Sequence, residues 1–259
     1  MNTRHLGFFT RLSAWLALAF LAIPILIIFP LAFSPSQFLD FPPTGFSARW
    51  VTEVLTDSGW LSSIWLSFRI AVVSTAISVV LSTLAALALV RARFPGKQII
   101  YALILLPMIV PNIISAISMF FFFSGIKSLG NTESIIIGHA VISLPVAVIM
   151  ISATLQGLDS RLENAALSLG ASRWTTFRRI TLPLAAPGIA SACIFSFLSS
   201  FDELLIAMFM SGAGSQTLPV RIWNTVLYQL DPTIAAISSM LVIVSASALV
   251  FANLLMRHR

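Results

Sequence analysis

Long apolar runs leave this chain few ways to fold. A helix that crosses the roughly 30 Å hydrocarbon core of a bilayer needs about twenty mainly apolar residues. Six stretches qualify, at about 12–34, 63–90, 99–124, 134–156, 184–211 and 233–256. Membrane-crossing strands would instead alternate polar and apolar over about ten residues, and these runs do not. Only 9% of the residues are charged, against about 25% in soluble chains. The expectation is an all-α integral membrane protein with six transmembrane helices. The first run follows Arg4 and Arg11 as in a signal peptide. It exceeds a signal's apolar region of about 7–15 residues, so it reads as an uncleaved first span.

The net charge of +6 comes from basic residues placed between apolar runs, not gathered on a soluble face. That excludes nucleic acid as the expected partner and points to membrane topology. Arg4 and Arg11 precede the first run; Arg91, Arg93 and Lys97 lie between the second and third. Arg161, Arg173, Arg178 and Arg179 lie between the fourth and fifth, and Arg257 and Arg259 end the chain. The other side has only Arg49, Lys127 and Arg221. Both termini and the 159–183 connection are therefore expected in the cytoplasm. On the outer side, Phe46, Trp50, Val51, Val54 and Leu55 share one helical face, with Ser47 as its cap. Trp50 and Trp60 suit a membrane–water boundary. Pro24, Pro30, Pro107, Pro111 and Pro145 fall inside apolar runs, where each removes an amide donor and favours a kink. Cys193 is the one cysteine, so no internal disulfide forms. No metal site is expected.

The stretch "LDSRLENAALSLGASRWTTFRRITLP" departs from this pattern. Ser160 and Glu163 have the spacing of a capping box. Leu162, Ala165, Ala166 and Leu169 fall on one face, and Gly170 supplies a helix stop. Ser172 restarts a second helix with Trp174 and Phe177 as an aromatic edge, and Pro183 marks the turn into the fifth span. Two short helices flat on the cytoplasmic face are expected. Lipid binding would account for the arginines and aromatics. The small Ala-Ala-x-x-x-Gly patch fits close approach of another protein better.

This segment resembles the cytoplasmic "EAA" loop in permease subunits of bacterial ABC importers: Glu-Ala-Ala, three residues, Gly, nine residues, Ile-x-Leu-Pro. Ala165, Ala166, Gly170, Ile180, Leu182 and Pro183 match at that spacing, while the motif's Glu falls on Asn164 and Glu163 sits one residue earlier. Glu163 either replaces the motif's docking carboxylate or closes the capping box. "SFDELLIAMFMSGAGSQTLPVRIWNTVLYQLDPTIAAIS", "ALALVRARFPGK" and "LPMIVPNIISAI" resemble the spermidine/putrescine type in particular. The resemblance implies a first span and outer loop over 1–62 and a MetI-like core over 63–259, with 159–183 as its coupling segment. It implies a second permease subunit, two copies of a cytoplasmic ATP-binding subunit and a periplasmic or lipid-anchored solute-binding protein, in the bacterial inner membrane. This chain would bind no cofactor. ATP and Mg would belong to the ATPase, and the sequence has no G-x-x-x-x-G-K-[ST] loop of its own. Coupling would rest on Glu163, Asn164, Ala165, Ala166, Gly170, Leu182 and Pro183.

Asp202 and Glu203 interrupt the fifth run. An acid at the bilayer centre costs about 2.5–3.5 kcal/mol on insertion scales, so it faces protein or water. Two roles follow. The acids pair with Arg69 in the second run, or with a partner permease. Alternatively they line a path for a cationic solute. In "SGAGSQTLPVRIWN", Arg221 and Trp223 are candidates to meet the solute-binding protein, with interfacial anchoring the alternative for Trp223. A polyamine is the expected cargo, with an opine, ferric iron or thiamine as alternatives in the same class. An ion-driven secondary carrier and a membrane enzyme remain as other classes. His5, His139 and His258 lie far apart in sequence, which disfavours the enzyme. His139 reads as a packing or interfacial residue.

Overall fold

The computed structural model describes residues 3–212, 214–228 and 231–257. His258 and Arg259, the end of the expected cytoplasmic tail, lie outside the described residues. In chain order the helices are α1 (Thr3–Ala32), α2 (Arg49–Thr56), α3 (Ser58–Arg91), α4 (Lys97–Ile109), α5 (Asn112–Gly125) and α6 (Thr132–Gly157). They continue with α7 (Ser160–Ser168), α8 (Arg173–Thr176), α9 (Leu182–Phe201), α10 (Leu205–Met210), α11 (Leu218–Tyr228) and α12 (Thr233–Arg257). A π-helical turn, Phe177–Thr181, joins α8 to α9. No strand forms among the described residues beyond an isolated Gly130–Ser211 bridge.

Among the described residues, four helices are long and apolar enough to cross a membrane: Phe9–Ala32, Ser58–Arg91, Thr132–Gly157 and Arg173–Phe201. The third apolar run breaks into α4 and α5, bent by 102°. The break falls at Pro111, whose extended backbone (ψ 132°) begins a new helix. Pro24, Pro30, Pro107 and Pro145 sit inside helices that continue through them. The expected six spans thus become four unbroken ones and one broken one, with α12 apolar over Thr233–Ser247. The second short helix is also corrected. α8 is the first turn of the fifth span, and Pro183 lies in the first turn of α9 with no change of direction expected from it. Proline is tolerated there because the π turn before it has already shifted the backbone bonding, with the Leu182 amide donating to Phe177 O.

The chain divides into two compact units, residues 1–61 with 222–259, and residues 62–221. In the first, α1 and α2 pack on α12. Trp50 and Trp60, expected at a membrane–water boundary, are buried in the protein, and the Trp50 indole donates to the Ser36 carbonyl at 3.0 Å. Ser47 does not cap α2; its hydroxyl accepts from the Arg49 amide at 3.2 Å in the turn before it. Trp15 and Phe20 of α1 point outward, as a lipid-facing helix requires.

In the second unit α6 is the central element, with its closest packing against α9. It buries residues on all sides, including Ile135, His139, Val148 and Ile151, the pattern of a helix surrounded by protein. Small residues line the α6–α9 contact: Ala147 of α6 and Ala185 and Ala192 of α9 share one core cluster. A side chain at Gly188 would place its Cβ 2.0 Å from Thr154 Oγ1 and 2.6 Å from Thr154 Cβ. Without a hydrophobic drive in lipid, such close backbone approach is the main source of helix association. Gly188→Val is therefore expected to destabilise the protein by about 1–3 kcal/mol through overpacking. Gly157→Ala, where a Cβ meets nothing within 4 Å, is expected to melt near wild type; melting temperatures in detergent make the comparison.

Candidate functional site

The segment after α6 is built by local rules. Asp159 caps α7, its Oδ1 accepting from the Arg161 amide at 2.9 Å. At the other end the Gly170 amide donates to Leu167 O and the Ala171 amide to Ala166 O, each at 3.0 Å. That closure requires a left-handed residue, and Gly170 has φ +88°. Ser172 then caps α8, accepting from the Thr175 amide at 3.1 Å.

Glu163 does not close a capping box, because Asp159 already holds the α7 start. Its carboxylate turns inward. Oε2 lies 3.0 Å from Arg91 Nε at the end of α3, and Oε1 accepts from Thr181 Oγ1 at 2.9 Å in the π turn. Both charged side chains are about a quarter or less exposed (26% and 17%). The pair therefore stands between surface and buried ion pairs and is worth about 1–3 kcal/mol. Glu163 clips α7 to α3 and to the root of α9.

The other segment residues face outward. Asn164, Ala165 and Gly170 are exposed, Ala166 is half-buried, and Leu182 and Pro183 are exposed at the start of α9. Leu169 is 89% and Trp174 68% exposed. The structure thus gathers Asn164, Ala165 and Gly170 on an uncovered surface and separates Glu163 from them.

At the far end of α9 the two acids take different positions. Asp202 ends the helix and is exposed. Glu203 is buried and caps α10. Its Oε1 accepts from the Leu205 amide at 3.1 Å, and its Oε2 accepts from Ile206 and Ala207 amides at 2.8 and 3.2 Å. A carboxylate there complements the positive end of the helix as well as its free amides. His139 of α6 faces it, with Nε2 3.5 Å from Glu203 Oε2. His139 Nδ1 lies 2.8 Å from Ser200 Oγ, and Ser74 Oγ donates to Ser200 Oγ at 2.9 Å. Ser74 Oγ also reaches the Ala71 carbonyl at 3.2 Å, while His139 Nε2, buried beside the carboxylate, makes no hydrogen bond of its own. One buried polar chain thereby links α3, α9, α6 and α10.

The expected pairing of Asp202 or Glu203 with Arg69 does not form. Glu203 is filled by α10's amides and faces α6. Arg69 is exposed on α3 and lines a cavity of about 380 Å³ with Ser62, Trp65, Gln216 and Arg221. Arg221 is half-buried in that wall, while Trp223 is exposed. His139, read from the sequence as a packing or interfacial residue, is buried between Ser200 and Glu203. Its signal was available: an ionisable side chain within an apolar, membrane-length helix rarely lacks a polar partner.

Glu203→Ala is expected to leave three α10 amides without acceptors, at about 1–3 kcal/mol for a buried unsatisfied group. Hydrogen exchange should accelerate at Leu205, Ile206 and Ala207. Asp202→Ala should leave those amides protected.

The chain is similar to known transport proteins over nearly its whole length. Spermidine/putrescine transport system permease protein PotC of Escherichia coli K12 is 30% identical over 253 residues, which is 98% of this chain and 94% of that one. Putrescine transport system permease protein PotI of the same strain is 32% identical over 233 residues, covering 87% and 83%. The fold matches the crystal structure of a bacterial ABC transporter involved in the import of the acidic polysaccharide alginate. The TM-score is 0.75 at 17% identity, covering 98% of this chain and 96% of that one. The family model described as binding-protein-dependent transport system inner membrane component matches residues 78–258. The chain belongs to that family of inner membrane transport components.

Proposed function

We propose that the chain is one of two permease subunits of an importer that moves a polyamine of the spermidine/putrescine class into the bacterial cell. The observation that carries this reading is α7. It is a short helix clipped to the bundle by Glu163 and Arg91, with Asn164, Ala165 and Gly170 left uncovered. A separate cytoplasmic ATPase, present in two copies and binding ATP and Mg, would seat on that surface. The relatives named for spermidine and putrescine transport, matched almost end to end, support the cargo class. Six spans with both termini cytoplasmic, and a core over 63–259, belong to the same proposal. So does a periplasmic or lipid-anchored binding protein delivering the solute near Arg221 and Trp223.

The residues then divide by role. Asn164 occupies the motif's carboxylate position and offers an amide to the ATPase. Glu163 serves as the fastening that makes α7 rigid. Closure of the ATPases pushes α7, and the clip carries the push into α3 and the root of α9. Asp202, exposed at the end of α9, is the carboxylate available to a passing ammonium group; Glu203 is occupied in holding α10.

Gly170→Pro fixes φ near −65° and removes the amide that bonds Leu167, so α7 cannot end as it does. The variant is expected to insert normally, lose the copurifying ATPase and abolish uptake. An intact ATPase pull-down with normal uptake would overturn the coupling role, and an absent ATPase with wild type would favour an ion-driven carrier. Asp202→Asn is expected to lower spermidine uptake by roughly tenfold, the scale of one charge interaction, with the ATPase still bound. Unchanged spermidine uptake in that variant would remove Asp202 from the path.

A further inference from the structure

Beside α7 lies a cavity of about 780 Å³, lined in part by the Glu163–Arg91 clip and in part by arginines the coupling role leaves unused. Arg91 and Arg93 at the end of α3 and Arg173 at the start of α8 line it, and Glu163 is the one carboxylate in its wall. Glu163 is already taken by Arg91. Arg93 and Arg173 are exposed and have no ion pair among the described residues. Like charges sharing one partly enclosed volume favour a bound anion, and the guanidinium fork matches phosphate oxygens two at a time.

A second feature says which anion. Leu87 and Phe177 make part of the cavity wall apolar. Val80, Leu84 and Leu87, spaced four and three residues apart, form a single stripe on α3 that runs into the cavity. Val80 and Leu84 are each 59% exposed. A free phosphate ion or a protein carboxylate has no use for such a stripe, whereas an acyl chain does. Basic pockets between membrane helices on the cytoplasmic side suit acidic lipid head groups.

We propose that this cavity binds the phosphodiester head group of an anionic membrane lipid. Arg93 and Arg173 hold the phosphate, and an acyl chain lies along Val80, Leu84 and Leu87. The inference rests on reading the α7 end of the bundle as its cytoplasmic surface. It places a lipid beside the helix that receives the ATPase, so lipid composition becomes an input to coupling.

The test uses the full-length chain with whatever subunits copurify, exchanged into detergent micelles containing phosphatidylglycerol or phosphatidylcholine. Bound lipid is read by native mass spectrometry. Wild type is expected to retain phosphatidylglycerol selectively. The Arg93→Gln, Arg173→Gln double variant is expected to lose roughly tenfold in affinity per guanidinium, the scale of one charge-assisted hydrogen bond, with the ATPase still bound. The Arg93→Lys, Arg173→Lys variant should retain an intermediate share, and it decides the matter if the glutamine variant melts early. Equal retention of the two lipids, or undiminished phosphatidylglycerol in the glutamine variant, overturns the site. Loss of the ATPase together with the lipid overturns it in favour of a protein carboxylate. Inorganic phosphate that raises the melting temperature as much as phosphatidylglycerol overturns the lipid as the source. Selective lipid binding with no ATPase in any preparation leaves the site standing and removes the importer reading instead.

Discussion

A break in a helix inside a bilayer exposes amides and carbonyls that lipid cannot satisfy. That requirement organises this protein. Where the fifth apolar run ends at Phe201 and restarts at Leu205, Glu203 folds back over three amides of the new helix. The carboxylate is costly to bury, and His139 stands against it with its own second nitrogen held by Ser200. Ser74 extends the chain to α3. Each of these side chains is explained by the one before it, and the series begins with a broken helix. Where the chain breaks at Gly170, no such apparatus is built, because the backbone closes on itself.

The rules that depend on neighbours in sequence were legible. The helix stop at Gly170 and the cap at Ser172 follow from residue type alone, and both form. The apolar runs revealed an all-helical membrane protein. What was hidden depends on partners far along the chain. Glu163 has the spacing of a capping box, yet Arg91, 72 residues earlier, outbids a backbone amide for its charge. His139 and Ser200 are 61 residues apart and meet only once α6 and α9 pack. Arg69 looked like the natural counter-ion for the acids of the fifth run. The amides of α10 offered three donors at no cost in side-chain freedom, and they won. Pro111 breaks its run while Pro107 and Pro145 do not.

Under the proposed coupling role, the position of Glu163 bears on how such a loop can differ from its family pattern. A carboxylate on the outer face would meet the motor directly. Moved one residue earlier, the same group fastens the loop to its own bundle, and an amide is left outside. The change exchanges a point of contact for stiffness behind it. That exchange is consistent with a surface built from small residues, where close fit depends on the loop holding its shape.

The run from Arg173 to Phe201 is one continuous helix of 29 residues, about 43 Å long at 1.5 Å per residue. Mechanically it is a rod, with Thr154 packed against Gly188 near its middle. A tilt of about 5° about one end of such a rod displaces the other by about 4 Å. Asp202 stands at that other end, so a tilt of that size would move its carboxylate by about the same distance.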